Sequence, residues 1–169
     1  ERGDTLRQPA FYTGDSLAEF DCVIANPPFS LEKWGDDVWL SDPYGRNFAG
    51  LPPAKTGDYA WVQHMIKSMA HKTGRMAVVL PHGVLFRGGE EREAGRHFIE
   101  GGVLEAIIGL PAGLFYGTGI PACILVLEAD EKVDVRQTAA VTAIARSLGY
   151  SDDEAQAMLV EAMRDREKT

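Results

Sequence analysis

Phe20-Asp21-Cys22-Val23-Ile24-Ala25-Asn26-Pro27-Pro28-Phe29 decides how the chain is read. Six residues, mostly apolar, run into two prolines. Such a run reads as a buried strand, and prolines stop it because they cannot continue a ladder. In an open α/β sheet, ligands bind beyond the carboxyl ends of the strands. Asn26, Pro27, Pro28 and Phe29 would sit there, with Asn26 held extended by the proline that follows it.

The same punctuation recurs downstream. Residues 30 to 57 are rich in Gly, Pro, Asp and Trp and read as a long surface loop. Asp58 reads as a helix N-cap, followed by Trp61, Val62, Met65, Ile66 and Met69 at helical spacing. His71 and Lys72 fall in the last turn, and Gly74 reads as the C′ residue. Arg75 to Leu80 is a buried strand ended by Pro81. Glu90 to Gly101 reads as a helix with acids in its first turn. Val103 to Leu110 is a further strand, stopped at Pro111, and Ala122 to Glu128 is the last. Alternating strands and helices predict an α/β sheet covered by helices. The link from Pro111 to Pro121 has no helical pattern, so the last strand is expected to run antiparallel to its neighbour.

The tail, residues 131–169, is of another kind. Val141, Ile144, Ala145 and Leu148 share one helical face, and Gly149 stops it. Ser151-Asp152-Asp153-Glu154 fits a capping box, and Ala155, Met158, Leu159 and Met163 follow at helical spacing. These features predict a helical hairpin.

The chain has 169 residues, 45% of them apolar, enough for one domain with a real core. No apolar run is long enough to span a bilayer, and no secretory signal pattern is present. Cys22 and Cys123 lie in apolar stretches without metal-ligand spacing, and read as two buried thiols in a cytosolic protein. Nor does any cluster of His, Cys and carboxylates have metal-ligand spacing. The net charge of −8 counts against nucleic-acid binding by this chain alone. A local face or a partner subunit can still supply positive potential. The first residues contain no Met, which predicts a piece of a longer protein.

An amine conjugated to an aromatic ring is a poor nucleophile. Two acceptors, an Asn amide and a nearby backbone carbonyl, would draw electron density back to its nitrogen. An aromatic at the fourth position offers a face on which a base taken out of the duplex can stack. The plainer alternative is a Pro-Pro turn beside an ordinary Asn. Arg87, Arg92 and Arg96 could meet phosphates, but they are interleaved with Glu90, Glu91 and Glu93 and read better as a solvated helix face. Gly113, Gly117 and Gly119 suit either a close backbone approach or a plain strand connection. His64 reads as a core or cap histidine.

The stretch ending in Asn26-Pro27-Pro28-Phe29 resembles the amine-methyltransferase motif after the fourth strand of the S-adenosylmethionine-dependent fold. Gly57-Asp58-Tyr59-Ala60-Trp61, Gly74 to Gly89 with its Leu85-Phe86-Arg87-Gly88-Gly89, and Ile108 to Pro121 with its Leu114-Phe115-Tyr116-Gly117-Thr118-Gly119-Ile120-Pro121 resemble the modification subunit of type I restriction systems. The resemblance covers roughly residues 12 to 130. It implies an α/β fold: a partial Rossmann-like methyltransferase sheet, strands four to seven, with an antiparallel strand seven between five and six. Residues 1–130 would be the C-terminal part of the catalytic domain, and residues 131–169 a helical tail.

The implied activity is methylation of adenine N6 in double-stranded DNA with S-adenosylmethionine, in the prokaryotic cytoplasm, beside specificity and restriction subunits. Asn26 and the Pro27 carbonyl would hold the amine, Pro28 would fix the turn, and Phe29 would stack on the flipped adenine. Asp15 sits where the family has an acid near the cofactor's adenine, although Gly14-Asp15-Ser16 also suits a turn. The family's Gly-rich cofactor loop after the first strand has no counterpart in this sequence. Two expectations follow: this polypeptide alone is inactive, and the strand before Asn26 lies at a bare edge that invites a homodimer. A glutamine-amide methyltransferase acting on protein, whose motif usually ends in Tyr, and a non-catalytic partner-binding remnant are the alternatives.

Overall fold

The computed structural model describes residues 2–115, 118–129, 142, 143, 145, 146 and 149–157. It opens with a hairpin, β1 (Tyr12–Thr13) and β2 (Ser16–Leu17), paired antiparallel. Gly14 turns it with φ at +59°, a left-handed conformation that suits glycine. Next come β3 (Cys22–Ala25), the short helix α1 (Asp36–Trp39) and α2 (Asp58–Lys67). After β4 (Arg75–Pro81) and a 3₁₀ segment at His82–Phe86 follow α3 (Glu90–Glu100), β5 (Leu104–Gly109) and β6 (Ala122–Glu128).

Four strands make the main sheet in the order β3-β4-β6-β5. β3 and β4 are parallel, joined through α2, whereas β6 is antiparallel to both β4 and β5. The link without a helix therefore produces the antiparallel last strand that its length demands.

Register explains the core. Met76, Val78 and Leu80 of β4 stand opposite Leu127, Leu125 and Cys123 of β6, and all six are buried. The residues between them are only half-buried. Against the buried face pack Val62 and Met65 of α2 and Phe98 and Ile99 of α3. Each such side chain contributes roughly 1.5–3 kcal/mol through removal from water.

Four expectations are corrected. β3 is not buried: it is an edge strand, Ile24 is 75% exposed, and Cys22 is an exposed thiol, while Cys123 is buried as expected. An apolar run states what a strand can bury, not which neighbours cover it. Residues 30 to 57 are more than a surface loop, because Trp34 and Trp39 pack with Leu6 and Ala60 into a second small core. Their rings meet edge to face at 5.0 Å. A buried ion pair, Arg46 to Asp42 at 2.6 Å, ties the rest of that loop down.

Asp58 opens α2 without capping it, the N-cap position being Gly57. Finally, α2 ends at Lys67, ahead of His71 and Lys72, and Gly74 has no left-handed backbone. Gly74 is required for space instead: a Cβ there would lie 2.6 Å from the Ala70 backbone nitrogen.

In the tail, Ser151 and Glu154 form the expected reciprocal capping box, with Ser151 N–H donating to Glu154 Oε2 at 2.8 Å and Glu154 N–H to Ser151 Oγ at 3.3 Å. Tyr150 donates its hydroxyl to the Arg92 carbonyl at 2.7 Å, docking this turn on α3. The expectations for Val141, Ile144, Leu148, Met158, Leu159 and Met163 lie outside the described residues. Among the described residues, no helix is long and apolar enough to cross a membrane.

Candidate functional site

The chain leaves β3 at Ala25, and the next four residues stand at the carboxyl end of the sheet. Asn26 and Pro28 are exposed, Pro27 is buried, and Phe29 is partly buried. Buried Pro27 anchors the turn while the Asn26 amide remains open to solvent. Every peptide bond of the described chain is trans, so the prolines act here through φ restriction alone.

Phe29 does not stand alone. Its ring meets that of Phe115 at 5.8 Å and 78°, an edge-to-face contact. Aromatic pairs of this geometry contribute about 0.5–1.5 kcal/mol beyond area burial. The contact joins the loop after β3 to the loop between β5 and β6. Both segments stand out in the sequence as separate motifs, with no signal that they touch.

Behind Phe29, a charged cluster fixes the chain. Ser30 has φ at +49°, an uncommon conformation for a residue with a side chain. Its N–H donates to Asp58 Oδ1 at 2.8 Å, and its hydroxyl lies 3.4 Å from Asp58 Oδ2. Arg87 donates to Asp58 Oδ2 at 2.6 Å, to Glu91 Oε1 at 2.7 Å and to Ser30 Oγ at 3.1 Å. Asp58 is fully buried, and Glu91 nearly so. Burial works against the Arg87 cation, but its bonds to Glu91 and Asp58 outweigh that and hold its proton more firmly than usual. Burial lifts the Glu91 carboxyl above the usual carboxylate range, with Arg87 opposing. Sequence reasoning missed this cluster because Asp58 also suits a helix start.

The other expected residues fall elsewhere. Asp15 is exposed in the turn of the β1–β2 hairpin, the placement of its turn alternative. Arg87 is not part of a solvated helix face. Arg92 pairs with Glu154 and lies over the Tyr150 ring, and Arg96 pairs with Glu100. Gly113 has φ at +74°, Gly119 is exposed, and Gly117 lies outside the described residues. His64 lies 3.5 Å from the Arg46 guanidinium, and burial followed by that charge pushes it down to about 4. It is a neutral packing group, remote in role from Asn26. Among the described residues, no group of three His, Cys or carboxylate side chains is placed to hold a metal.

Chemically, the arrangement presents acceptors and a ring: the Asn26 amide, the backbone carbonyls beside it, and Phe29 propped by Phe115. A cavity of about 120 Å³ is lined by residues such as Phe11, Phe20, His64 and Ser68, and not by Asn26.

The model of the N-6 DNA Methylase family matches residues 1–168. The chain is 37% identical over 131 residues to the type I restriction enzyme MjaVII methylase subunit of Methanocaldococcus jannaschii, covering 74% of this chain and 22% of that protein. It is 31% identical over 150 residues to the HindI methylase subunit of Haemophilus influenzae, covering 84% of this chain and 32% of the other. The crystal structure of the type I restriction-modification methyltransferase subunit from Streptococcus thermophilus superposes with a TM-score of 0.63 at 33% identity, over 75% of this chain and 26% of that one. The chain thus spans less than a third of the length of each of these relatives.

Proposed function

This chain belongs to the N-6 DNA methylase family, and on that premise we propose that it carries the base-holding half of an adenine-N6 DNA methyltransferase, as part of a type I modification subunit. The observation that carries the reading is the placement of Asn26 to Phe29 at the carboxyl end of β3, with Phe29 braced by Phe115. On this reading β3, β4, β5 and β6 are the family's strands four, five, six and seven.

Asn26 Oδ1 and the Pro27 carbonyl each accept one N–H of the adenine amine. Bonding both hydrogens localises the nitrogen lone pair, which otherwise delocalises into the ring. Pro27 and Pro28 keep the two acceptors in fixed relation at little entropic cost on binding. Phe29 stacks on the extruded base, worth roughly 1–3 kcal/mol. Once methylated, the amine held by Asn26 and the Pro27 carbonyl would release one proton to solvent, so no strong general base is required.

S-adenosylmethionine, the methyl donor this family implies, supplies an electrophilic methyl group on a positively charged sulfur. Asn26 and Asp15 are both exposed, and on this reading they would form one wall of its site. Asp15 would reach the donor's adenine only if the hairpin turn faces that wall. The Gly-rich cofactor loop is not in this sequence, so the 169 residues alone are expected to be inactive. A specificity subunit would choose the DNA site and offset the net charge of −8, and a restriction subunit would complete the assembly. In isolation, a second copy could pair on the outer edge of β3, which has a single strand neighbour among the described residues. A monodisperse monomer in light scattering would rule that out.

The test is methyl transfer by the full-length subunit with its specificity subunit, using labelled donor and DNA, for native protein and Asn26→Ala. Label on adenine N6 that the substitution abolishes is the expected result. A folded complex that labels no DNA would overturn it, and label on protein glutamine would support the other amide-nitrogen reaction.

A further inference from the structure

Phe29 is followed directly by Ser30, which is bonded into a buried charged cluster. Asp58, at the start of α2, leaves its own helix without a side-chain cap. Its carboxylate goes instead to the N–H and hydroxyl of Ser30 and to Arg87. Arg87 leaves the 3₁₀ segment beyond β4 and reaches Glu91 in the first turn of α3. Thus the starts of two helices and the end of the 3₁₀ segment after β4 converge on the residue after the ring. A cap on α2 would serve that helix alone. A fully buried carboxylate that holds Ser30 in a left-handed backbone fixes the exit direction of the loop.

From this convergence we infer that Ser30, Asp58 and Arg87 are positioning residues for base capture, which set Phe29 and the Asn26 acceptors in the geometry that a flipped adenine requires. The inference rests on the functional reading above. None of the three touches the base. They act through the backbone of residues 26–30, whose far side is braced by Phe115. Misplacing a reacting group by about 1 Å costs up to about a hundredfold in rate.

The experiment uses the full-length subunit with its specificity subunit. Asp58→Asn keeps the shape of the side chain and removes its charge, and Arg87→Met removes the bridge. The expected result for Asp58→Asn is a single-turnover methylation rate lower by about ten- to a hundredfold, per donor-binding site, with donor affinity unchanged. Fluorescence of 2-aminopurine at the target adenine should move toward the value given by Phe29→Ala. Without donor or DNA, amide exchange of residues 26–30 should speed up. The double variant should be no slower than the slower single one, because the two groups act as a unit.

A wild-type rate per site, or a loss that only tracks the amount of folded protein with unchanged fluorescence and exchange, would overturn the inference. An Asn26→Ala control separates the two levels: if it retains full activity, the functional reading itself falls.

Discussion

Arg46→Met should destabilise the chain by about 3–5 kcal/mol, the range found when one partner of a buried ion pair is removed. The environment places it there. The Arg46 and Asp42 side chains are 2% and 1% exposed. Nε and Nη2 of Arg46 donate to Asp42 Oδ1 at 2.9 and 2.6 Å, and the Arg46 N–H donates to Oδ2 at 2.7 Å. A third guanidinium nitrogen donates to the Thr5 carbonyl at 3.1 Å, which ties the N-terminal segment to the loop. The guanidinium also lies 4.7 Å from the Trp39 ring centroid. Methionine fills similar volume but leaves the Asp42 carboxylate with a backbone N–H and no countercharge.

Against a total stability of about 5–15 kcal/mol, this loss is large. With a urea slope of about 2 kcal/mol per M, the unfolding midpoint should fall by about 2 M. Tryptophan fluorescence is a suitable signal, since Trp34 and Trp39 are almost wholly buried. Asp42→Leu combined with Arg46→Met should recover much of the loss, because no unpaired charge remains. A cost below about 1 kcal/mol for the single variant, the value of an exposed pair, would refute the reasoning.

Two further outcomes concern titration. His64, held at about 4 in the fold against 6.5 otherwise, must stay neutral to remain packed. Its contribution is fully present above about pH 6.5 and is lost as pH falls toward 4, up to about 3 kcal/mol. Urea titrations at pH 7 and 4.5 should show that slope, and His64→Gln should flatten it; an equal slope in both proteins would exclude His64 as its source. Burial pushes the Cys123 thiol up to about 11, whereas Cys22 is exposed. A disulfide-exchange reagent at pH 8 should therefore modify one thiol in the native chain and the second only in denaturant.

The order of the main-sheet strands and of α2 and α3 was legible because periodicity and proline punctuation are local, whereas the β1–β2 hairpin and α1 were not read. The antiparallel β6 was legible too, since the link from 111 to 121 is too short and too irregular for a crossover helix. What escaped was long-range. Nothing local distinguishes an Asp58 that caps its helix from one that reaches Ser30. Trp34 and Trp39 are five residues apart in a Gly- and Pro-rich stretch, which fits neither periodicity, so the second core read as loop. Asn26 to Phe29 could be singled out as a site, whereas its brace at Phe115 could not. The edge position of β3 followed from the resemblance, not from its apolar run.

The contact between Phe29 and Phe115 also has a temporal side. A chain made from its N-terminus exposes Asn26 and Phe29 long before Phe115 exists. Ser30 can meet Asp58 and Arg87 only once those residues have been made. During synthesis, residues 26–30 therefore gain their supports in two stages, first from Asp58 and Arg87 and then, when β5 and the link beyond it arrive, from Phe115. A chain truncated before residue 115 would carry the whole motif in its sequence and still lack the ring that braces Phe29.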